Sequence, residues 1–150
     1  VYVDKVEATG FIRMDTWVGR RMDVHCTSVG KALVAFRPEA EVEALLRKRG
    51  MARHTPRTIT SSGRLLRELE EVRAHGYAVD DEENSLGVRC LAAPVFDAGG
   101  AVAAALGVTG TTAQVSRAAQ ARIAEQVQEA ARKLSRRLGY DPPPAQRRRR

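Results

Sequence analysis

Apolar residues recur at helical spacing in four stretches of the chain, and shorter apolar runs of strand character lie between them. Val29, Leu33 and Phe36 share one face of a helix that opens at the run Ser28, Val29, Gly30. That helix ends before Pro38, because the residue preceding a proline is pushed out of the helical region. Pro38 itself suits the first turn of a second helix, lined by Val42, Leu45 and Leu46 and stopped at Gly50. Ser61 or Ser62 is placed to cap a third, with Leu65, Leu66, Leu69 and Val72 on one side and Gly76 just past its end. A long last helix capped by Ser116 carries Ile123, Val127, Ala130, Ala131, Leu134 and Leu138 as its stripe and stops at Gly139.

Strands are expected over residues 77–81, 86–95 and 102–109, joined by an acidic turn at 82–85 and a tight hairpin through Asp97, Ala98, Gly99 and Gly100. Residues 1–6 and 11–15 read as a further strand pair, and residues 24–26 as a brief strand. Strands, three helices, strands and a final helix make an α+β domain with an antiparallel sheet and segregated helices, not a doubly wound parallel sheet. After Gly139, three prolines and four closing arginines cannot continue a helix, so residues 140–150 read as a disordered Pro/Arg-rich tail.

Charge changes the picture by its position. The 150 residues carry a net charge of +7, which taken alone suggests a nucleic-acid binder. Eight basic residues and one acid fall between Arg132 and Arg150, and the rest of the chain holds 17 of each sign. The body has no surplus from which to build a phosphate-binding face, so it is not expected to grip DNA by itself. Two cysteines are too few for a disulfide scaffold and suit a reducing cytoplasmic setting. The uncharged stretch 98–116 is mostly Ala, Gly and Thr with a Gly-Gly turn, so no membrane span is expected.

Few constellations offer chemistry. Gly30-Lys31 fails as a phosphate loop, since the leading glycine position holds His25 and the following hydroxyl position holds Ala32. No cofactor motif is present. His25, Cys26, Asp80, Glu82, Glu83 and Cys90 are metal-ligating types without the spacing of a recognised site, and each also reads as a satisfied polar residue or a core thiol. His25 and Cys26, as neighbours on a strand, are expected to face opposite ways. Cys90 with His25 is left as a hydrolase-like alternative without an evident third member. The opening of the Ser28 helix offers unpaired amides to a carboxylate, or Ser28 simply caps its own helix.

The motifs taken together are more specific. Gly19-Arg20-Arg21, Val29-Gly30-Lys31-Ala32-Leu33 and Thr58-Ile59 come in order, followed by the run from Arg73 through His75, Gly76 and Tyr77 to Glu83. Gly87 to Val95, the hairpin strand Ala103 to Gly110, and Leu138-Gly139 complete the pattern. It resembles the effector-binding domain of IclR-type bacterial transcription regulators over residues 1–139. The resemblance implies a GAF-like fold with a curved antiparallel sheet, self-association as dimers or tetramers, and an N-terminal winged helix-turn-helix domain that binds operator DNA. No match to that DNA-binding domain lies in this chain, so an isolated sensory domain is expected.

Carried over by resemblance, the effector-binding positions are Met14, Met22, Ser28, Val29, Gly30, Asp80, Cys90, Gly107 and Thr109. The expected mechanism is allosteric control of operator binding by a small organic acid held at the amides of Val29 and Gly30, without catalysis. Gly107 stands where family members that bind small oxo-acids tend to carry serine. The resemblance therefore implies a bulkier, aromatic acid, walled by Met14 and Met22. A metal-loaded sensor remains a further alternative.

Overall fold

Glycine and proline punctuate the helices where the sequence predicts. The computed structural model describes residues 1–7 and 16–142. Helices α1 (Ser28–Val34), α2 (Glu39–Arg49) and α3 (Ser62–His75) precede β1 (Ala78–Asp81), β2 (Val88–Phe96) and β3 (Val102–Thr111), and α4 (Gln120–Arg137) follows. All pairings are antiparallel, in the order β1-β2-β3. The hairpin at Asp97 closes as expected, with the Asp97 carboxylate accepting from the amides of Gly99 and Ala101.

The two sheet faces bury different things. Leu65, Leu69 and Val72 of α3 pack with Ile59, Val42 and Leu46 and with Ala78 and Ala92 of the sheet. Each such leucine, isoleucine or valine contributes about 1.5–3 kcal/mol by leaving water. On the opposite face, Leu91, Ala93 and Val95 meet Ala124, Val127 and Ala131 of α4. Strand alternation therefore puts Cys90 and Ala92 on the face shared by α1.

Several helix faces differ from the expectation. In α1 the buried residues are Ser28, Gly30, Lys31, Ala32 and Val34, while Phe36 lies beyond the helix and is exposed. This helix is pressed between the sheet and α3, so amphipathic spacing does not describe it. Ser28 is not its cap: the cap is Thr27, whose Oγ1 accepts from the Gly30 amide at 3.2 Å. In α4, Val127 and Ala131 are buried as expected, but Ala124 and Ser135 are buried where Ile123 and Leu134 were expected. Ser135 Oγ accepts from the Phe96 amide at 2.9 Å and donates to the Ala131 carbonyl at 2.8 Å, satisfying an end-of-strand donor that a leucine cannot.

Residues 1–7 form no strand, although Tyr2 exchanges two hydrogen bonds with Gly19 and Arg20; residues 11–15 lie outside the described residues. Residues 24–26 are a bend, not a strand. Tyr140, read as the first residue of a tail, stacks on Phe96 at 5.0 Å between ring centroids.

Candidate functional site

Register brings three predicted residues into one row. Asp80 of β1 pairs with Cys90 of β2, which pairs with Thr109 of β3. The thiol interacts with both the Asp80 carboxyl and the Thr109 hydroxyl. The adjacent row is Ala78, Ala92 and Gly107, all small, and α1 rests against it. A Cβ on Gly107 would come within 2.7 Å of the Leu91 carbonyl oxygen and 3.3 Å of Val29 Cγ1. The missing side chain at Gly107 therefore lets helix and strand approach, and does not add room for a ligand as the sequence suggested.

Asp80 is buried, and its Oδ1 accepts from the amides of Glu83 at 2.8 Å and Asn84 at 3.4 Å. Burial pushes this carboxyl above the usual range, against the pull of those amides and of Lys31. Burial, with Asp80 alongside, pushes the Cys90 thiol up to about 12. Beneath the row lies Lys31, fully buried, its Nζ donating to the Val79 carbonyl at 2.7 Å and to Glu83 Oε1 at 2.6 Å, with Glu68 at 3.3 Å. Glu83 is raised by burial in spite of Lys31, and its Oε2 has no hydrogen-bond partner.

The mouth of α1 is held by a close backbone approach. A Cβ at Gly30 would lie 2.5 Å from Val24 Cα, so only glycine lets the 23–27 loop fold over the helix start. The Gly30 amide is already taken by Thr27. Among the described residues the amides of Ser28 and Val29 and the Ser28 hydroxyl have no acceptor or donor partner. Tyr2 reaches the same place: burial first, then the nearby Cys90, raise its hydroxyl, and Arg20 opposes them. Sequence reasoning missed Tyr2, because only the docking of residue 2 on Gly19 and Arg20 carries it there. Met22 is half-buried; Met14 lies outside the described residues.

A model of the bacterial transcriptional regulator IclR C-terminal family matches residues 1–136. The chain belongs to this family. It is 42% identical over 140 residues to the HTH-type transcriptional regulator XynR of Escherichia coli, covering 93% of this chain and 56% of that protein. The Thermotoga maritima IclR crystal structure superposes with a TM-score of 0.86 at 37% identity, over 91% of this chain and 56% of that one. The inducer-binding domain of Acinetobacter PobR, solved as a double mutant with 3-hydroxybenzoic acid, gives a TM-score of 0.74 at 32% identity, over 79% and 69% of the two chains. The chain spans about half the length of the curated relatives it matches.

The family match agrees with the α+β fold and the motif order, and the remaining chemistry is rearranged relative to the sequence expectation. His25 does not meet Cys90. Its Nε2 donates to the Ala52 carbonyl at 2.9 Å, and its ring stacks on His54 at 6.2 Å. His25 and Cys26 do not diverge, because their backbone is bent: with Asp23 and His54 they bring one ligand-type atom each within 4.8 Å of one another. Asp80, Glu82, Glu83 and Cys90 do not join that group. Of the described cavities the larger, about 1020 Å³, lies between the ends of α3 and α4, lined by Phe36, Arg73, Phe96, Arg132 and Tyr140 among others, and holds none of the predicted effector residues. No helix among the described residues is long and apolar enough to cross a membrane.

Proposed function

We propose that this chain is the effector-sensing domain of a longer transcription regulator, working in the cytoplasm as a homo-oligomer and binding a small organic acid between the mouth of α1 and the Asp80, Cys90, Thr109 row. The observation that carries the reading is the unpaired polar set at that place: the Ser28 and Val29 amides and the Ser28 hydroxyl, beside a Thr109 that is solvent-exposed at the open end of the row. The acid's carboxylate would take the two amides and Thr109, without the Gly30 amide that the sequence had offered. Asp80, with Oδ1 committed to backbone amides, is left to accept from a hydroxyl on the effector. That division of roles suits a hydroxylated aromatic acid, and the PobR domain, 32% identical, was solved with 3-hydroxybenzoic acid. Binding would shift the balance between two arrangements of the regulator and so bias operator binding by the winged helix-turn-helix domain expected at its N-terminus.

Chemistry weighs against the hydrolase alternative. A thiol raised to about 12 is neutral at pH 7 and a weak nucleophile, and no imidazole contacts Cys90 among the described residues. Thermal-shift and calorimetric titration of the 150-residue chain with 3-hydroxybenzoate, benzoate, pyruvate and glyoxylate tests it. At a hundredfold excess over Kd a bound acid stabilises by about 2.7 kcal/mol, or roughly 5–11 °C for a chain of this size. Thr109→Val should weaken every acid, and Asp80→Asn the hydroxylated one most. No stabilisation by any of the four, or unchanged binding by Thr109→Val, refutes the site; turnover of a bound acid that Cys90→Ala abolishes would restore the enzyme.

A further inference from the structure

The bend at residues 23–26 and the loop between α2 and α3 bring together two imidazoles, a thiol and a carboxylate. We infer that Asp23, His25, Cys26 and His54 form a zinc site that ties the entrance of α1 to the α2–α3 connection. Their four ligand atoms lie within 4.8 Å of one another. Tetrahedral zinc with bonds of about 2.0–2.3 Å places its ligand atoms roughly 3.3–3.8 Å apart. Closure of up to about 1.5 Å at the widest pair completes the cage.

The surroundings favour an ion over a plain polar cluster. His25 is buried, and its Nε2 must be the protonated nitrogen, because the Ala52 carbonyl can only accept. In the neutral ring, the form that binds a metal, the lone pair then sits on Nδ1. A ring nitrogen donating to a backbone carbonyl while the other faces the metal is the usual outer-shell arrangement for a ligating histidine. His54 Nε2 and Asp23 Oδ2 stand 2.9 Å apart in a hydrogen bond that a bound ion would replace, with the two atoms moving slightly apart. Cys26 is fully buried, and its sulfur has only a 3.8 Å contact with Asn84.

The scaffold is stiff on both sides. Thr27 Oγ1 donates to the Asp23 carbonyl at 2.7 Å, and the amides of His54 and Thr55 both donate to Thr58 Oγ1. Sulfur and imidazole donors select zinc or a similar first-row ion over calcium or magnesium, which demand oxygen cages. The site shares no ligand residue with the Asp80, Cys90, Thr109 row and does not depend on an acid binding there.

The test is a titration of the metal-stripped 150-residue chain with Zn2+ and with Co2+ as the coloured substitute. The expected result is one ion per chain, a thiolate-to-Co2+ charge-transfer band, the intense visible bands of tetrahedral cobalt, and a higher melting midpoint. Cys26→Ser should remove the charge-transfer band. His54→Gln should lower zinc affinity by at least the roughly 10–100-fold that losing even an outer-shell partner costs. His75→Gln, on a histidine of α3 paired with Glu71, should leave affinity unchanged. If Cys26→Ser does not fold, His54→Gln carries the test, since that side chain is 35% exposed. A folded chain that gives no thiolate-to-Co2+ band overturns the site, as does zinc affinity in His54→Gln within about twofold of the parent.

Discussion

Lys31 offers the sharpest test of how the centre of this domain is held. Its ammonium is completely enclosed and bonds to Glu83 Oε1 at 2.6 Å, the Val79 carbonyl at 2.7 Å and Glu68 at 3.3 Å. Lys31→Met keeps the stem's volume and removes the charge. Glu83, whose other oxygen already lacks a partner, is then a buried carboxylate with no counterion. Breaking a buried pair from one side costs about 3–5 kcal/mol, on the order of 10 °C in Tm for a chain of this length.

The pH dependence follows from Glu83. Burial already raises its carboxyl above the unfolded value, and removing Lys31 raises it further. A raised carboxyl makes the folded state bind the proton more tightly, so the stability it contributes is present at low pH and lost as pH rises through the folded value. The penalty of Lys31→Met should therefore be largest at neutral pH and shrink on acidification. Lys31→Met with Glu83→Gln should recover much of the loss, because the second change removes the stranded charge. Urea unfolding of the two single variants and the double variant at neutral and acid pH measures this. A Lys31→Met cost below about 1 kcal/mol, or a double variant no more stable than Lys31→Met, refutes the ion-pair account.

Three further outcomes follow. Thr27→Ala should cost about 1 kcal/mol through the lost cap, and Ser28→Ala markedly less, both read from urea midpoints; the reverse order would return the cap to Ser28. Ser135→Ala should cost about 1–3 kcal/mol by stranding the Phe96 amide, exceeding the cost of Leu134→Ala on the exposed side of α4. Asp81 is held below the usual carboxylate range: partial burial pushes it up, but the hydrogen bond and charge of Arg89, with Arg117 and Arg57, outweigh that. Its contribution is therefore present above the unfolded carboxylate value and lost as pH falls through the lower folded one. Asp81→Asn should flatten the acid limb of the stability curve, and an unchanged limb would remove this cluster from acid unfolding.

Local chemistry made much of the fold legible. Pro38, Gly50, Gly76 and the Asp97 hairpin mark boundaries because each acts through its own backbone, wherever the chain later packs. The Leu65, Leu69, Val72 stripe held because α3 meets the core with one face only. The motifs from Gly19 to Gly110 carried the family, since they are a linear pattern. What a residue touches across the chain was not written in that way. Lys31 has the look of a surface lysine until β1, α3 and the 82–84 turn close over it. Tyr2 reaches Cys90, and Asp23 and His54 reach Cys26, only through backbone bends that bring distant segments together. Gly107 reads as space in the sequence and turns out to be filled by Val29 and the Leu91 carbonyl. Turns and stripes are set within a few residues, where sequence speaks directly; burial, partners and the room around a site are set by which elements meet, and only the folded chain decides that.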